Sequence, residues 1–278
     1  MLPEDDPARG GRPAMIQARD GVAIHFESEG RGPHVTLLHG VGSHLQAWDD
    51  VVAALCNDFT LLRYDLRGHG RSGKPPAPYH LDDYVSDLAA LLDAQSVART
   101  ALVGFSFGGM IVSAFTVRHP ERVRKLAIVS AVAGRTPEQR AAVVKRADEL
   151  AQGGALMTVG PAIERWFTPE FRERRPDTVE RQIQRVLGND PAGYAAAYRV
   201  FAESEVIDEL PRIGCPTLVM TGEHDVNSSP GMARAMHERI RGSRLVILPR
   251  YRHSLLIEAG TEVVNELRGF LKEPASPP

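Results

Sequence analysis

The segment "RTALVGFSFGGMIVSAFTVRHP", residues 99–120, is the most informative part of the sequence about the fold. It opens with a continuous apolar run, residues 99–105, which is typical of a strand buried on both faces of a parallel sheet. A helical pattern begins at Phe107 and must end before Pro120. Ser106 lies at the turn between strand and helix, with a glycine two residues away on each side. This order predicts that Ser106 stands at the carboxyl end of a central strand, where open α/β sheets bind ligands.

Strands and helices alternate along the chain on both sides of this stretch. The alternation predicts right-handed crossovers and an α/β fold with a doubly wound, mostly parallel sheet. The dipeptide Asp20–Gly21 predicts a β-hairpin ahead of the first crossover. The predicted strands are residues 34–40, 60–65, 99–105, 125–131, 216–222 and 244–249, and the predicted helices are 80–95, 107–119, 231–240 and 262–271.

One region breaks the alternation. Residues 134–205 are charged and helical in pattern and contain no convincing strand, so they form either a helical lid over the carboxyl edge of the sheet or a small packed subdomain. We predict a core domain in two parts, residues 14–133 and 206–272, with the lid inserted between two core strands. The acidic, Pro- and Gly-rich residues 1–13 predict a flexible leader, and residues 273–278 a flexible tail.

Composition excludes several classes of protein. A net charge of −2 gives no overall attraction to nucleic acid or anionic lipid. No apolar run is long enough for a transmembrane helix, and the N-terminus lacks the pattern of a signal peptide. Cys56 and Cys215 are too few for a disulfide framework, which predicts a reduced, cytoplasmic protein. No histidine or cysteine spacing suggests a metal site, so we expect a small-molecule substrate and no cofactor or metal.

Chemistry at Ser106 requires a base that accepts its proton and an acid that orients the base. His253, in "LPRYRHSLLIEAG", follows the last predicted strand and therefore lies at the same sheet edge. Asp225, in "LVMTGEHDVNSSP", follows the strand before it, and Glu223 is its close rival. Asp65, in "RYDLRGHGRS", suits loop hydrogen bonding better. The alternative for Ser106 is a Gly-rich turn with an idle serine.

A tetrahedral intermediate also needs donors for its oxyanion. The Phe107 N–H comes directly after the candidate nucleophile and at the start of a helix, where N–H groups are free. The second donor should come from "HGVGSH", residues 39–44, after the first core strand, and we assign it to the Val41 N–H. The alternative for this segment is an ordinary glycine turn.

Taken together, "LLHGVGSHLQAWDDV", "RYDLRGHGRSGKP", "LVGFSFGGM", "PTLVMTGEHD" and "RHSLLIEA" resemble the α/β-hydrolase superfamily over residues 20–272. The chain order Ser106, Asp225, His253 is the order of nucleophile, acid and base in that superfamily. Within it, "ERWFTPEF" (164–171) and residues 189–219 look like the 3-oxoadipate enol-lactonase branch. The segment "HGVGSH", Phe107 and Arg252 depart from that branch, which usually has "NSLG", methionine and a small residue at these positions.

The resemblance implies a lid that positions a carboxylated substrate. Arg165 and Trp166 match the lid motif of the branch, so Arg165 would pair with the carboxylate and Trp166 would form a wall of the pocket. Alternatively, Trp166 anchors the lid and Arg165 is solvated. Other arginines that could bind the carboxylate are Arg63, Arg135, Arg146 and Arg252.

The sequence therefore predicts an enzyme, a cofactor-free serine hydrolase that acts on a small carboxylic ester or lactone through an acyl-enzyme. An anionic enol-lactone is one candidate substrate. The alternatives are a hydrolase of C–C or C–N bonds or a perhydrolase with the same triad. A non-catalytic receptor of the same fold is a further alternative, although a receptor has no need for a base and an orienting acid.

Overall fold

A computed structural model describes residues 14–274. The predicted leader, residues 1–13, and residues 275–278 of the predicted tail lie outside the described residues. Within the described chain, no helix has the length and apolarity needed to cross a membrane. The cytoplasmic location stays a prediction.

Eight strands form one sheet in the order β1-β2-β4-β3-β5-β6-β7-β8. Strands β3 to β8 are all parallel, whereas β1 and β2 form an antiparallel hairpin at one edge. The predicted hairpin and the predicted doubly wound, mostly parallel sheet are confirmed. The strands are β1 (Ala14–Gln17), β2 (Ala23–Gly30), β3 (His34–Leu38), β4 (Thr60–Tyr64), β5 (Thr100–Phe105), β6 (Val123–Val129), β7 (Thr217–Gly222) and β8 (Arg244–Leu248).

Helices cover both faces of the sheet, which is why the strands are continuous apolar runs. Leu102 of β5 packs into one core cluster, and its neighbours Ala101 and Val103 pack into the cluster on the opposite face. The helices of the core are α1 (Asp49–Leu55), α2 (Leu81–Ala94), α3 (Phe107–Arg118), α9 (Pro230–Arg239), α10 (Leu255–Glu258) and α11 (Gly260–Lys272).

Five helices and no strand lie between β6 and β7. They are α4 (Pro137–Gly153), α5 (Leu156–Trp166), α6 (Pro169–Arg174), α7 (Pro176–Leu187) and α8 (Pro191–Glu203). Four of them begin with proline, whose fixed φ and missing N–H suit the first helical position. Thr136, Thr168 and Asp190 cap three of these starts with a side-chain oxygen.

Candidate active site

Ser106 stands at a sharp turn between β5 and α3. Its backbone angles are φ 55° and ψ −115°, and a positive φ is strained for a residue with a side chain. The turn is held by the Ser106 N–H, which donates a hydrogen bond of 2.8 Å to the carbonyl of Val129 on β6. A strained serine that the surrounding sheet holds in place is what a nucleophile at a strand-to-helix turn requires.

Two glycines let the strand, turn and helix pack closely around Ser106. A Cβ on Gly104 would lie 2.3 Å from the carbonyl oxygen of Gly108. A Cβ on Gly108 would lie 2.3 Å from the carbonyl oxygen of Leu38 at the end of β3. Since backbone atoms cannot move aside as side chains do, both positions require glycine.

The predicted acid and base are hydrogen bonded to each other. Asp225 lies in the loop after β7 and His253 in the loop after β8, and 2.8 Å separates Asp225 Oδ2 from His253 Nδ1. The other oxygen of Asp225 accepts hydrogen bonds from the N–H groups of Asn227 and Ser228, each at 2.9 Å. Because an ionised carboxylate only accepts, Nδ1 carries the hydrogen and Nε2 of His253 is left free to act as a base.

The rival acids have other partners. Glu223 accepts a hydrogen bond of 2.7 Å from the Arg250 N–H, and its side chain is half exposed. Asp65 is buried and accepts hydrogen bonds from Leu45 N–H, Arg71 N–H and the Nδ1 of His25. Burial acts to raise the pKa of Asp65, but these hydrogen bonds and the nearby His39 bring it down to about 2. Asp65 thus holds loops together, as its sequence setting indicates.

Ser106 and His253 line one cavity of about 310 Å³. The structure gives no hydrogen bond between Ser106 Oγ and His253 among residues 14–274. Such catalytic hydrogen bonds are often long without substrate. The predicted nucleophile and base therefore share a cavity, and the base is bonded to the predicted acid.

The two segments that carry the predicted oxyanion donors adjoin Ser106. Gly40 comes so close that a Cβ on it would be 3.1 Å from the Cβ of Ser106, and Val41 lines the cavity next to it. The Phe107 N–H is the first of α3 and therefore has no acceptor within the helix. Their role as oxyanion donors stays a prediction.

Two buried histidines hold the loop that carries Val41. His39 Nδ1 donates to the Gly40 carbonyl at 2.8 Å, and His69 Nε2 accepts from the Gly42 N–H at 2.9 Å. Burial lowers the pKa of His39 to about 3 and that of His69 to about 4, so both rings are neutral near pH 7. The role of His69 in holding the predicted oxyanion loop was not predicted from the sequence. The signal was available, because β3 and β4, the strands that precede His39 and His69, are neighbours in the sheet.

The inserted helices supply most of the far wall of the cavity. Arg165 and Trp166 of α5 both line it, as predicted, together with Tyr194, Tyr198 and Phe201 of α8. Trp166 also packs with the apolar residues of the inserted helices, and its carbonyl accepts a 3.0 Å hydrogen bond from the Ser254 N–H. Trp166 is therefore both a wall of the cavity and an anchor next to His253.

Four arginines line the cavity, and no aspartate or glutamate of residues 14–274 does so. They are Arg135, Arg146, Arg165 and Arg185. Sequence reasoning named the first three as candidates and missed Arg185. The remaining two candidates are engaged elsewhere. Arg63 pairs with the carboxylates of Glu27, Glu29 and Asp49, and Arg252 donates to the carbonyls of Glu164 and Phe167.

In residues 14–274, no group of three or more His, Cys, Asp or Glu side chains is placed to hold a metal ion. The polar groups that face the cavity are instead hydroxyl, imidazole, amide and guanidinium groups.

Comparisons with known proteins agree with the fold. A family model described as the alpha/beta hydrolase fold matches residues 33–260. From Acinetobacter baylyi, (E)-2-((N-methylformamido)methylene)succinate hydrolase is 27% identical over 260 residues, covering 92% of this chain and 97% of the relative. From the same organism, 3-oxoadipate enol-lactonase 2 is 30% identical over 235 residues, covering 84% of this chain and 87% of the relative. The solved enol-lactonase from Burkholderia xenovorans has a TM-score of 0.88 and 29% identity, covering 94% of this chain and all of that one.

Proposed function

The chain belongs to the α/β-hydrolase family, and from this premise we propose that it is a serine hydrolase of a small ester or lactone that carries a carboxylate. The observation that carries the proposal is the strained Ser106 at the wall of a cavity that it shares with His253, the partner of buried Asp225. Strain at a serine and a buried histidine–carboxylate pair both cost stability, and a mere binding protein would gain nothing from them.

The proposed reaction follows from these positions. Nε2 of His253 takes the hydroxyl proton as Ser106 Oγ attacks the acyl carbon, and the N–H groups of Val41 and Phe107 receive the oxyanion. His253 then returns the proton to the leaving oxygen, and water hydrolyses the acyl-enzyme by the same path in reverse. With a lactone, the leaving oxygen stays attached to the acyl chain and can close the ring again. An enol leaving group avoids this reversal because the released enol becomes a ketone.

The substrate class is supported by the cavity and by the relatives. Four arginines line the cavity, and no aspartate or glutamate is among the described lining residues. The cavity therefore suits an anionic substrate. The names of both relatives contain a dicarboxylic acid, a succinate in one and 3-oxoadipate in the other. The first name also contains an N-methylformamido group, so hydrolysis of a C–N bond by the same residues is the second candidate function.

Labelling with a fluorophosphonate probe tests the proposal. Wild-type protein should be labelled, Ser106→Ala should not, and Ser254→Ala, which removes another serine hydroxyl from the same cavity, should be labelled like wild type. Matched panels of esters, lactones and enamides, each with and without a carboxylate, then identify the bond and the preferred charge. Labelling that survives in Ser106→Ala would refute the assigned nucleophile. A protein that neither labels nor hydrolyses any compound would be a non-catalytic receptor.

A further inference from the structure

We propose that the cavity binds a substrate with two separate anionic groups, one held by Arg135, Arg146 and Arg165 and the other by Arg185. The inference rests on the proposed function in calling the ligand a substrate, and it deepens that function by fixing the number and placement of charges. We call Arg135, Arg146 and Arg165 the roof cluster.

The roof cluster comes from the start of the inserted region and from α4 and α5. Burial lowers the pKa of Arg135 to about 10; the charge of Glu205 opposes this shift, and the charges of Arg140 and Arg146 add to it. Burial and then Arg146 also lower the pKa of Arg165, so Arg146 lies within electrostatic reach of both. Nη2 of Arg135 and Nε of Arg165 are buried and have no hydrogen-bond acceptor among the described residues. The roof cluster therefore has charge and donors left for a ligand.

We treat the roof cluster as one pole of positive charge in the cavity and Arg185 on α7 as the second pole. Its backbone carbonyl accepts a 3.1 Å hydrogen bond from Asn189 Nδ2. Arg185 also lies near His44, whose pKa it helps burial to lower to about 4. Near the end of the same helix, Asn189 donates a 2.9 Å hydrogen bond to the carbonyl of Gly42. This pole thus belongs to the side of the cavity formed by the predicted oxyanion loop.

Two buried arginines outside the cavity have several carboxylate partners. Arg63 forms ion pairs with three carboxylates, and so does Arg67, with Asp20, Asp83 and Asp87. In contrast, none of the four cavity arginines forms an ion pair with a carboxylate of residues 14–274. A substrate that fills the cavity displaces water from both poles, and a desolvated charge without a partner is costly. A single anion would satisfy one pole and leave the other unpaired, whereas two anions satisfy both.

Isothermal titration calorimetry on wild-type protein tests the inference without requiring turnover. The probes are α,ω-dicarboxylates from succinate to suberate and monocarboxylates of equal carbon number. We expect one chain length to bind ~10- to 100-fold more tightly than its monocarboxylate, since a hydrogen-bonded charge pair gives roughly that factor. Arg165→Gln and Arg185→Gln should each remove this advantage, and the Lys variants at the two positions should retain part of it. Arg174→Gln is the control, because Arg174 is exposed on α6 and does not line the cavity, and it should behave like wild type.

The inference is overturned if no dicarboxylate binds more tightly than its monocarboxylate, or if Arg174→Gln reduces the advantage as much as Arg185→Gln does. Circular dichroism melts of each variant show whether it is folded, and the Lys variants carry the test if a Gln variant is not. The outcomes for the two proposals are distinct. Dicarboxylate preference without hydrolysis of any compound would refute the proposed function alone, and hydrolysis without the preference would refute the inference alone.

Discussion

The two oxygens of Asp225 have different partners, and this difference determines what a neutral analogue would do. One oxygen accepts from the backbone N–H groups of Asn227 and Ser228, and the other faces His253 Nδ1. In Asp225→Asn, the amide oxygen must stay with the two N–H donors, so the NH₂ group is turned toward His253. The imidazole must then accept at Nδ1 and carry its hydrogen on Nε2, where it cannot act as a base.

We therefore expect Asp225→Asn to lower kcat by roughly 10³- to 10⁴-fold with little change in KM, because the tautomer is wrong and the shape is kept. Steady-state kinetics on the ester or lactone that wild type turns over best gives the measurement. Glu223→Gln is the control, since Glu223 contacts the backbone of Arg250 at the surface. A larger loss for Glu223→Gln than for Asp225→Asn would show that the acid is misassigned.

The order of residues in the sequence was sufficient to predict that Ser106, Asp225 and His253 lie at one edge of the sheet, and their catalytic roles stay a prediction. Each lies in the segment after a predicted parallel strand, and the carboxyl ends of such strands share one edge of the sheet. Arg185 could not be found in this way. Its place in the cavity depends on how α7 crosses the sheet edge, and neither the helical period nor the charge of residues 176–187 encodes that path.

At the scale of elements, the junction of β5 and α3 depends on close packing between backbones. Gly108→Ala should lower the free energy of unfolding by ~3 kcal/mol or more and abolish activity, because the new Cβ would overlap the Leu38 carbonyl in a filled core. Gly269→Ala is the matched control, since Gly269 lies within α11 and has open space around the added methyl. It should raise stability by ~0.5–1 kcal/mol through helix propensity. Urea unfolding measures both changes, and equal effects of the two variants would contradict the packing argument.

The elements of the core were predicted closely from the sequence. The strands are buried on both faces and therefore appear as long apolar runs, and the amphipathic helices between them have a clear helical period. Helices α1 and α10 were missed. They have 7 and 4 residues, too few for a period to be visible. The inserted region was predicted as helical but was not divided into helices. Its Thr-Pro and Asp-Pro dipeptides at Thr136, Thr168 and Asp190 mark three of the starts and could have been used.

For the molecule as a whole, neutral buried histidines link folding to pH. His39 and His69 are fully buried, with pKa values of about 3 and 4, against 6.5 for an ordinary histidine. At a pH between the folded and the unfolded pKa of each ring, the unfolded chain binds a proton at that ring and the folded chain does not. Stability is therefore unaffected by these groups above pH 6.5 and falls as the pH is lowered toward 4. Asp65 beside them has a pKa of about 2 and stays ionised throughout this window.

His69→Gln removes one of these two titrating rings, so it tests the contribution of His69 alone. A glutamine amide can still accept from the Gly42 N–H and donate to the Arg67 carbonyl, the two partners of His69, but it does not titrate. Between pH 7 and pH 4, wild type should lose about 3 kcal/mol of unfolding free energy that the variant keeps, at 1.36 kcal/mol for each pKa unit of the shift. Urea unfolding at half-unit pH steps measures the difference. His224→Gln, at a side chain that is 59% exposed, should follow the wild-type curve. If the His69→Gln curve instead runs parallel to wild type, His69 binds its proton as readily in the folded as in the unfolded protein, and burial does not lower its pKa.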